Sequence, residues 1–344
     1  MSNLTPQKPW QPTAKQLVPD LLGIIFTVIV TFAILAVSPL KGKLGFAIVL
    51  FFAAMVVSGA INLIRRDRKA ALNAVTTVLI YVTGTFLIIP VTSIIFEIIA
   101  RGFPGLSFGM FVHDMSVTSA DAAANEGGLL HAIIGTGYLI IFASLISVPV
   151  GVLTALYLTE LKGRFAGTVR FFVQAMSGVP SIVAGLFIYA VWMIQFGNKY
   201  SNLAGAASLA ILMIPTVART AEEVLKLIPP DLREAGLALG ATQWRTVAMI
   251  VIPAARSGLI TAVILGIARV AGETAPLLLT MGGADAINLN PFSGNSSALP
   301  YYVWKAFSLG TDTSVTRAWA GILVLMILVM ALFTAARVTS SRRG

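Results

Sequence analysis

The sequence predicts an all-α integral membrane protein, a polytopic helical bundle of about eight spans. Three observations carry this. The chain is 57% hydrophobic and 11% charged, whereas soluble domains carry about 25% charged residues. Apolar runs of membrane length recur along its 344 residues, each close to the roughly 20 residues a spanning helix needs. Alternating ten-residue strand patterns are absent, which argues against an outer-membrane barrel.

In chain order the predicted spans cover residues 21–40, 44–64, 74–100, 129–158, 171–196, 203–218, 257–280 and 318–336. Backbone groups in hydrocarbon need internal partners, and long apolar runs supply them as helices. The first twenty residues are polar and proline-rich with no cleavage pattern, so the first span reads as a retained signal-anchor. Pro90, Pro149, Pro180, Pro215 and Pro276 fall inside spans. Each removes a backbone donor and favours a bend, and helix breaks are expected at Pro180 and Pro276. Longer outer loops are expected at 101–128 and 281–316.

The charges set the orientation. With both termini cytoplasmic, most Lys and Arg residues fall on one side, including the cluster Arg65-Arg66-Asp67-Arg68-Lys69. The other side keeps Lys41, Lys43, Arg101, Lys199, Lys305 and Arg317, and Arg269 lies inside a span. The positive-inside rule favours this topology. It also accounts for the net charge of +10 without nucleic acid. The basic cluster separates an N-terminal tail and hairpin (1–70) from the remainder (71–344). With no cysteines, disulfide and thiol chemistry are excluded.

A polar interruption at 219–256 separates the sixth and seventh spans. Two prolines, Pro229 and Pro230, precede Asp231, the expected N-cap, and Glu234 stands where a capping box places its acid. Leu232, Ala235, Gly236 and Leu239 share one face of the predicted helix. Gly240 suits a left-handed helix end. Thr242 starts a second short helix carrying Trp244, and Pro253 returns the chain to the membrane. The expected product is a helix–glycine turn–helix elbow offering small residues to a partner. The same residues also fit an ordinary amphipathic loop helix in which Glu234 is only a cap.

In the seventh span, Arg269-Val270-Ala271-Gly272-Glu273-Thr274-Ala275-Pro276 places Arg269 and Glu273 four apart, one helical turn. Each charge costs roughly 2.5–3.5 kcal/mol at a helix centre on insertion scales, so an intramembrane ion pair is expected. A guanidinium binds phosphate oxygens in a fork. Arg269, Glu273 and Thr274 are therefore candidates for a translocation path; a purely structural ion pair is the competing reading. His113, His131, Asp114, Asp121 and Glu126 lack metal-ligand spacing, so no metal site is expected. Trp192, Trp304, Trp319, Tyr301 and Tyr302 fit interfacial anchoring.

Glu234-Ala235-Gly236, then Gly240, then Ile250-x-Ile252-Pro253 resembles the coupling motif of binding-protein-dependent ABC-importer permeases. Gly236 replaces the family's last alanine and Ile252 its leucine. Residues 269–280, read RVAGETAPLLLT, resemble the signature of A-type permease subunits of phosphate (Pst) importers. Supporting pieces are Gly127-Gly128 and Gly135-Thr136, and the run from Pro180 to Phe187. The resemblance implies a type I ABC-importer core of about six spans, with the first two helices as an extension. It also implies the bacterial inner membrane and phosphate as substrate. The implied partners are a C-type permease, an ATPase dimer using ATP and Mg, and an extracytoplasmic phosphate-binding protein. Independently, the chain has no phosphate-loop motif, and no cofactor of its own is expected. Arg269 alone does not separate phosphate from another oxyanion or a phosphonate. A membrane-bound phospholipid-handling enzyme would need a nucleophile or metal cluster that the sequence does not display.

Single cysteines placed in this cysteine-free chain test the orientation. In intact cells an impermeant thiol reagent is expected to label positions Thr118 and Asn295 and to spare Arg66. The opposite labelling pattern rejects the topology.

Overall fold

The computed structural model describes residues 14–38, 42–119, 122–123 and 125–341. Lys41 and Asp121, used above, lie outside these residues. The described chain is helical, and its one β-type contact is the isolated bridge between Gly282 and Ser296. It forms two compact units, residues 1–96 and 97–344.

The first unit holds α1 (Ala14–Val37), α2 (Gly42–Arg65) and most of α3 (Arg68–Gly102). The basic cluster at 65–69 marks the turn between α2 and α3. Asp67 caps α3, its carboxylate accepting from the Ala70 amide at 2.7 Å. Within the hairpin, Phe32 of α1 and Phe46 of α2 hold their rings 5.7 Å apart, and Thr31 is fully buried. Its hydroxyl returns a hydrogen bond to the Thr27 carbonyl.

The second unit contains α4 (Leu130–Leu156), α5 (Ala166–Ser177), α6 (Ser181–Ile188) and α7 (Asn202–Lys226). It continues with α8 (Pro230–Ala238), α9 (Gln243–Thr246), α10 (Ile252–Ala271), α11 (Ala275–Thr280), α12 (Leu299–Leu309) and α13 (Asp312–Ser341). By length and composition, six helices of the described chain can cross a membrane: α2, α3, α4, α7, α13 and the continuous run from α9 to α10. The predicted span at 171–196 is two helices, α5 and the run from Ser181 to Gln195, bent by 103° where the break at Pro180 is expected; counted as one broken span it is the seventh of the described chain. The first apolar helix is short, Leu22–Val37 over its apolar part.

The prolines divide into two kinds. Pro90, Pro149 and Pro215 sit inside continuous helices. Pro180 and Pro276 stand at new helix starts: Pro180 is the N-cap of α6, and Pro276 lies in the first turn of α11. A proline needs no donor partner at a helix start. The break at α11 therefore falls before Pro276, at 272–274, and not beyond it.

α7 is the pillar of the second unit. Ala204, Gly205, Ala206, Ser208 and Ala210 are all buried, so neighbouring backbones approach closely. A Cβ at Gly151 of α4 would lie 2.8 Å from Val217 Cβ, and one at Gly266 of α10 would lie 2.7 Å from Val217 Cγ2. The Val217 side chain thus fills the space that two glycines on two different helices leave open. Ser147 adds a hydrogen bond across the α4–α7 seam to the Ala210 carbonyl at 3.3 Å.

The loops at 103–129 and 281–298 are joined at the end where α4 and α7 begin. The Met115 amide donates to the Asp285 carbonyl at 2.9 Å, and the Ile287 amide to the Asp114 carboxylate at 3.1 Å. The Ser116 hydroxyl on Asp114 helps to hold that carboxyl below its ordinary pKa. Arg317, at the start of α13, is buried and donates to the carbonyls of Ala122, Ala123 and Glu126 at 2.8–3.2 Å. Tyr302, expected at an interface, is instead a core residue, 5% exposed beside His131. Burial pushes its hydroxyl up to about 12.

Gly266→Val is expected to destabilise the protein by about 1–3 kcal/mol, the usual cost of overpacking. The check is the apparent melting temperature of the detergent-solubilised protein. Gly137→Val is the control, because nothing lies within 4 Å of a Cβ there. Equal melting of the two variants would remove the seam from the account.

Candidate functional site: an exposed elbow and two helix breaks

The elbow begins where α7 ends. Pro229 is the N-cap of α8 and offers no side-chain bond, and Pro230 occupies the first turn. The expected capping box is therefore absent. Asp231 lies inside the first turn, where its charge complements the helix dipole, and Glu234 is exposed. The helix closes at Gly240, whose φ of +82° only glycine adopts without strain. The Gly240 amide reaches the Leu237 carbonyl at 2.9 Å, and the Ala241 amide reaches the Gly236 carbonyl at 3.2 Å. This pair of bonds is the Schellman helix end. Thr242 then caps α9, its hydroxyl accepting from the Arg245 amide at 3.4 Å. The chain widens to i→i+5 bonding over 247–251 before α10.

The elbow's two faces differ from the sequence expectation. Gly236 is buried, and a Cβ there would lie 2.8 Å from Ile250 Cδ1 and 2.9 Å from Thr246 Cγ2. It serves an internal close approach and is not offered to a partner. Exposed around it are Glu234, Ala235, Leu232, Leu237, Leu239 and Trp244. Leu239 is 89% exposed and Trp244 62%, which gives the elbow tip an apolar surface.

Sequence reasoning missed the residue that fixes the elbow in place. Arg233 makes a two-pronged ion pair with Glu160 at 2.8 and 2.9 Å. It also donates to the carbonyls of Ile228 at 2.7 Å and Leu225 at 2.9 Å. Glu160 lies 73 residues away, at the widened end of α4, a separation that no local motif exposes. Beside the pair is a cleft of about 550 Å³, lined by Glu160, Lys162, Arg170, Lys226, Arg233 and Gln243 among others. Glu222, 8% exposed, bonds Arg170 at 2.9 Å and Lys226 at 3.1 Å.

The expected Arg269–Glu273 ion pair is not formed. Among the described residues neither side chain has a hydrogen-bond or ion-pair partner. The reason is local. α10 ends at Ala271 with Gly272 as its cap, so Glu273 lies past the helix and off the face that carries Arg269. Its amide turns back to the Val270 carbonyl at 3.2 Å. Arg269 is exposed, while Glu273 and Thr274 are half-buried in the break. The last turn of a helix is a favourable place for a cation, which lowers the cost of leaving Arg269 without an acid.

The two breaks meet. α6 and α11 pack together with Gly185 against Pro276, where a Cβ would lie 2.5 Å from the proline Cα. Both proline-led half-helices, and the segment holding Glu273 and Thr274, therefore share one region. Among the described residues no group of three or more acidic or histidine side chains is placed to hold a metal ion.

Gly240→Val is expected to cost about 1–2 kcal/mol through backbone strain alone. Gly236→Val is expected to cost about 1–3 kcal/mol through crowding of Thr246 and Ile250. Limited trypsin digestion of the inserted protein reads both. Cleavage at Arg233 and Arg245 should quicken in each variant, and unchanged cleavage counts against the turn geometry.

Residues 147–343 match the family of binding-protein-dependent transport system inner membrane components. The chain is 37% identical over 281 residues to the phosphate transport system permease protein PstA 1 of Mycobacterium tuberculosis, covering 80% of this chain and 92% of that one. It is 40% identical over 247 residues to the phosphate transport system permease protein PstA of Haemophilus influenzae, covering 70% and 84%. The fold is similar to that of the MetNI methionine ABC transporter, with a TM-score of 0.52 at 21% identity over 63% of this chain and 94% of that one.

Proposed function

The chain belongs to the family of binding-protein-dependent transport system inner membrane components, a multi-pass membrane family, and from that premise we propose that it is the A-type permease subunit of an ABC importer for inorganic phosphate. The observation that carries the reading is the elbow. It is an exposed helix with an apolar tip, fixed by a glycine turn, on a chain without a nucleotide-binding loop of its own. Such an element suits a separate motor that grips it. The proposed assembly adds a C-type permease, an ATPase dimer that uses ATP and Mg, and an extracytoplasmic phosphate-binding protein. Both termini and the elbow face the cytoplasm, in keeping with the positive-inside bias.

In the proposed cycle, closure of the ATPase dimer moves the elbows, and the permease pair alternates between outward and inward access. The binding protein delivers phosphate from outside. The substrate assignment rests on the two relatives named for phosphate transport and agrees with Arg269. An exposed guanidinium in an apolar helix is costly against lipid. It is stable against a water-filled path or the second permease, where its fork matches phosphate oxygens. Glu273 and Thr274 line the same break. Glu234, Ala235 and the Gly240 turn form the surface that meets the ATPase, with Gly236 supporting it from within.

Arg269→Gln is expected to lower phosphate uptake by the assembled complex at least tenfold, with the subunit still inserted. Arg269→Lys keeps the charge without the fork and should retain partial uptake. Because Glu273 does not pair with Arg269 here, the double change Arg269→Gln with Glu273→Gln should not restore transport. Near-normal uptake by the double variant would return Arg269 to a structural role.

A further inference from the structure

The elbow is held to the rest of its unit unevenly. At the elbow end, α4, α7 and α10 share a buried apolar cluster that includes Leu156, Leu225, Val247, Val251 and Leu259. No residue of α8 belongs to it. α8 touches the α10 side through Gly236, against Thr246 and Ile250. Toward α4 and α7 its bonds come from one side chain, Arg233. That guanidinium engages both Glu160 oxygens, at the end of α4, and the carbonyls of Leu225 and Ile228, at the end of α7. Glu160 is 5% exposed and Arg233 25%, so water replaces these bonds poorly. The Glu160 carbonyl is engaged too, by Gln243 of α9 at 2.8 Å.

We infer that Arg233 is the transmission residue of the elbow: it converts displacement of α8 into displacement of the adjoining ends of α4 and α7. A two-pronged ion pair with two added carbonyl bonds resists both pulling and rotation, which a single contact does not. Beyond it the path is stiff, because Val217 locks α7 to Gly151 of α4 and Gly266 of α10. α10 then leads to the break beside Arg269. Arg233 is a positioning residue: it touches neither nucleotide nor transported ion. The inference rests on the proposed role of the elbow as the ATPase contact.

The test uses the complete complex, with both permeases, the ATPase and the binding protein, in proteoliposomes. Copurification of the ATPase, ATP hydrolysis and phosphate taken up per ATP are measured together. The wild-type complex tests the function itself: hydrolysis without phosphate uptake there refutes the proposed substrate and leaves Arg233 aside. With a working wild type, Arg233→Gln is expected to keep copurification and hydrolysis within about twofold and to lower phosphate per ATP at least tenfold, against RT ln 10 of about 1.4 kcal/mol per decade. Arg233→Lys retains the charge but not the fork and should fall between. If Arg233→Gln does not assemble, the double change Arg233→Gln with Glu160→Gln leaves no unpaired charge and is expected to assemble and to be uncoupled in the same way. An unchanged ratio of phosphate to ATP in an assembled variant overturns the inference. Loss of assembly in the single and the double variant overturns it too, since the pair would then hold the fold and not carry motion.

Discussion

The architecture of the second unit depends on how closely α4 and α10 approach α7. In hydrocarbon no hydrophobic force favours helix contact over lipid contact, so association depends on close packing and interhelical hydrogen bonds. Val217 between Gly151 and Gly266 is such packing on two sides at once, because one branched side chain fills two gaps. The register of α4 and α10 against α7 follows from it. So does the placement of the helix ends that carry Glu160 and Leu225 beneath the elbow.

Much of this organisation was legible from residue types. Long apolar runs, basic turns and the two prolines that open half-helices are strong local signals. The glycine at the elbow turn was readable for the same reason, since φ near +82° leaves few other choices. What was not legible is non-local. Gly236 looked like a surface concession to a partner, yet it faces Ile250 and Thr246, which only the fold brings against it. Arg233 sat unnoticed beside Glu234, because its acid lies 73 residues earlier. The predicted Arg269–Glu273 pair failed for a local reason that spacing conceals. An interval of four means one face only while the helix continues, and Gly272 ends it.

The charged residues divide accordingly. At the elbow end Arg170, Lys226 and Arg233 each have a carboxylate partner within 3.1 Å, so these three cations brace the ends of α7 and α8. Inside the apolar region Arg269 stands without an acid of its own. Paired cations at the elbow and an unpaired one at the break are two different electrostatic environments within one unit.

The junction of α6 with α11 has a mechanical character of its own. Gly185 has no side chain and Pro276 has no amide hydrogen, so the proline can donate no backbone bond across the crossing. The two half-helices therefore meet without a hydrogen bond from Pro276 and without a side chain from Gly185 between them. The crossing is backbone laid against ring, a bare contact that any side chain at 185 would wedge apart.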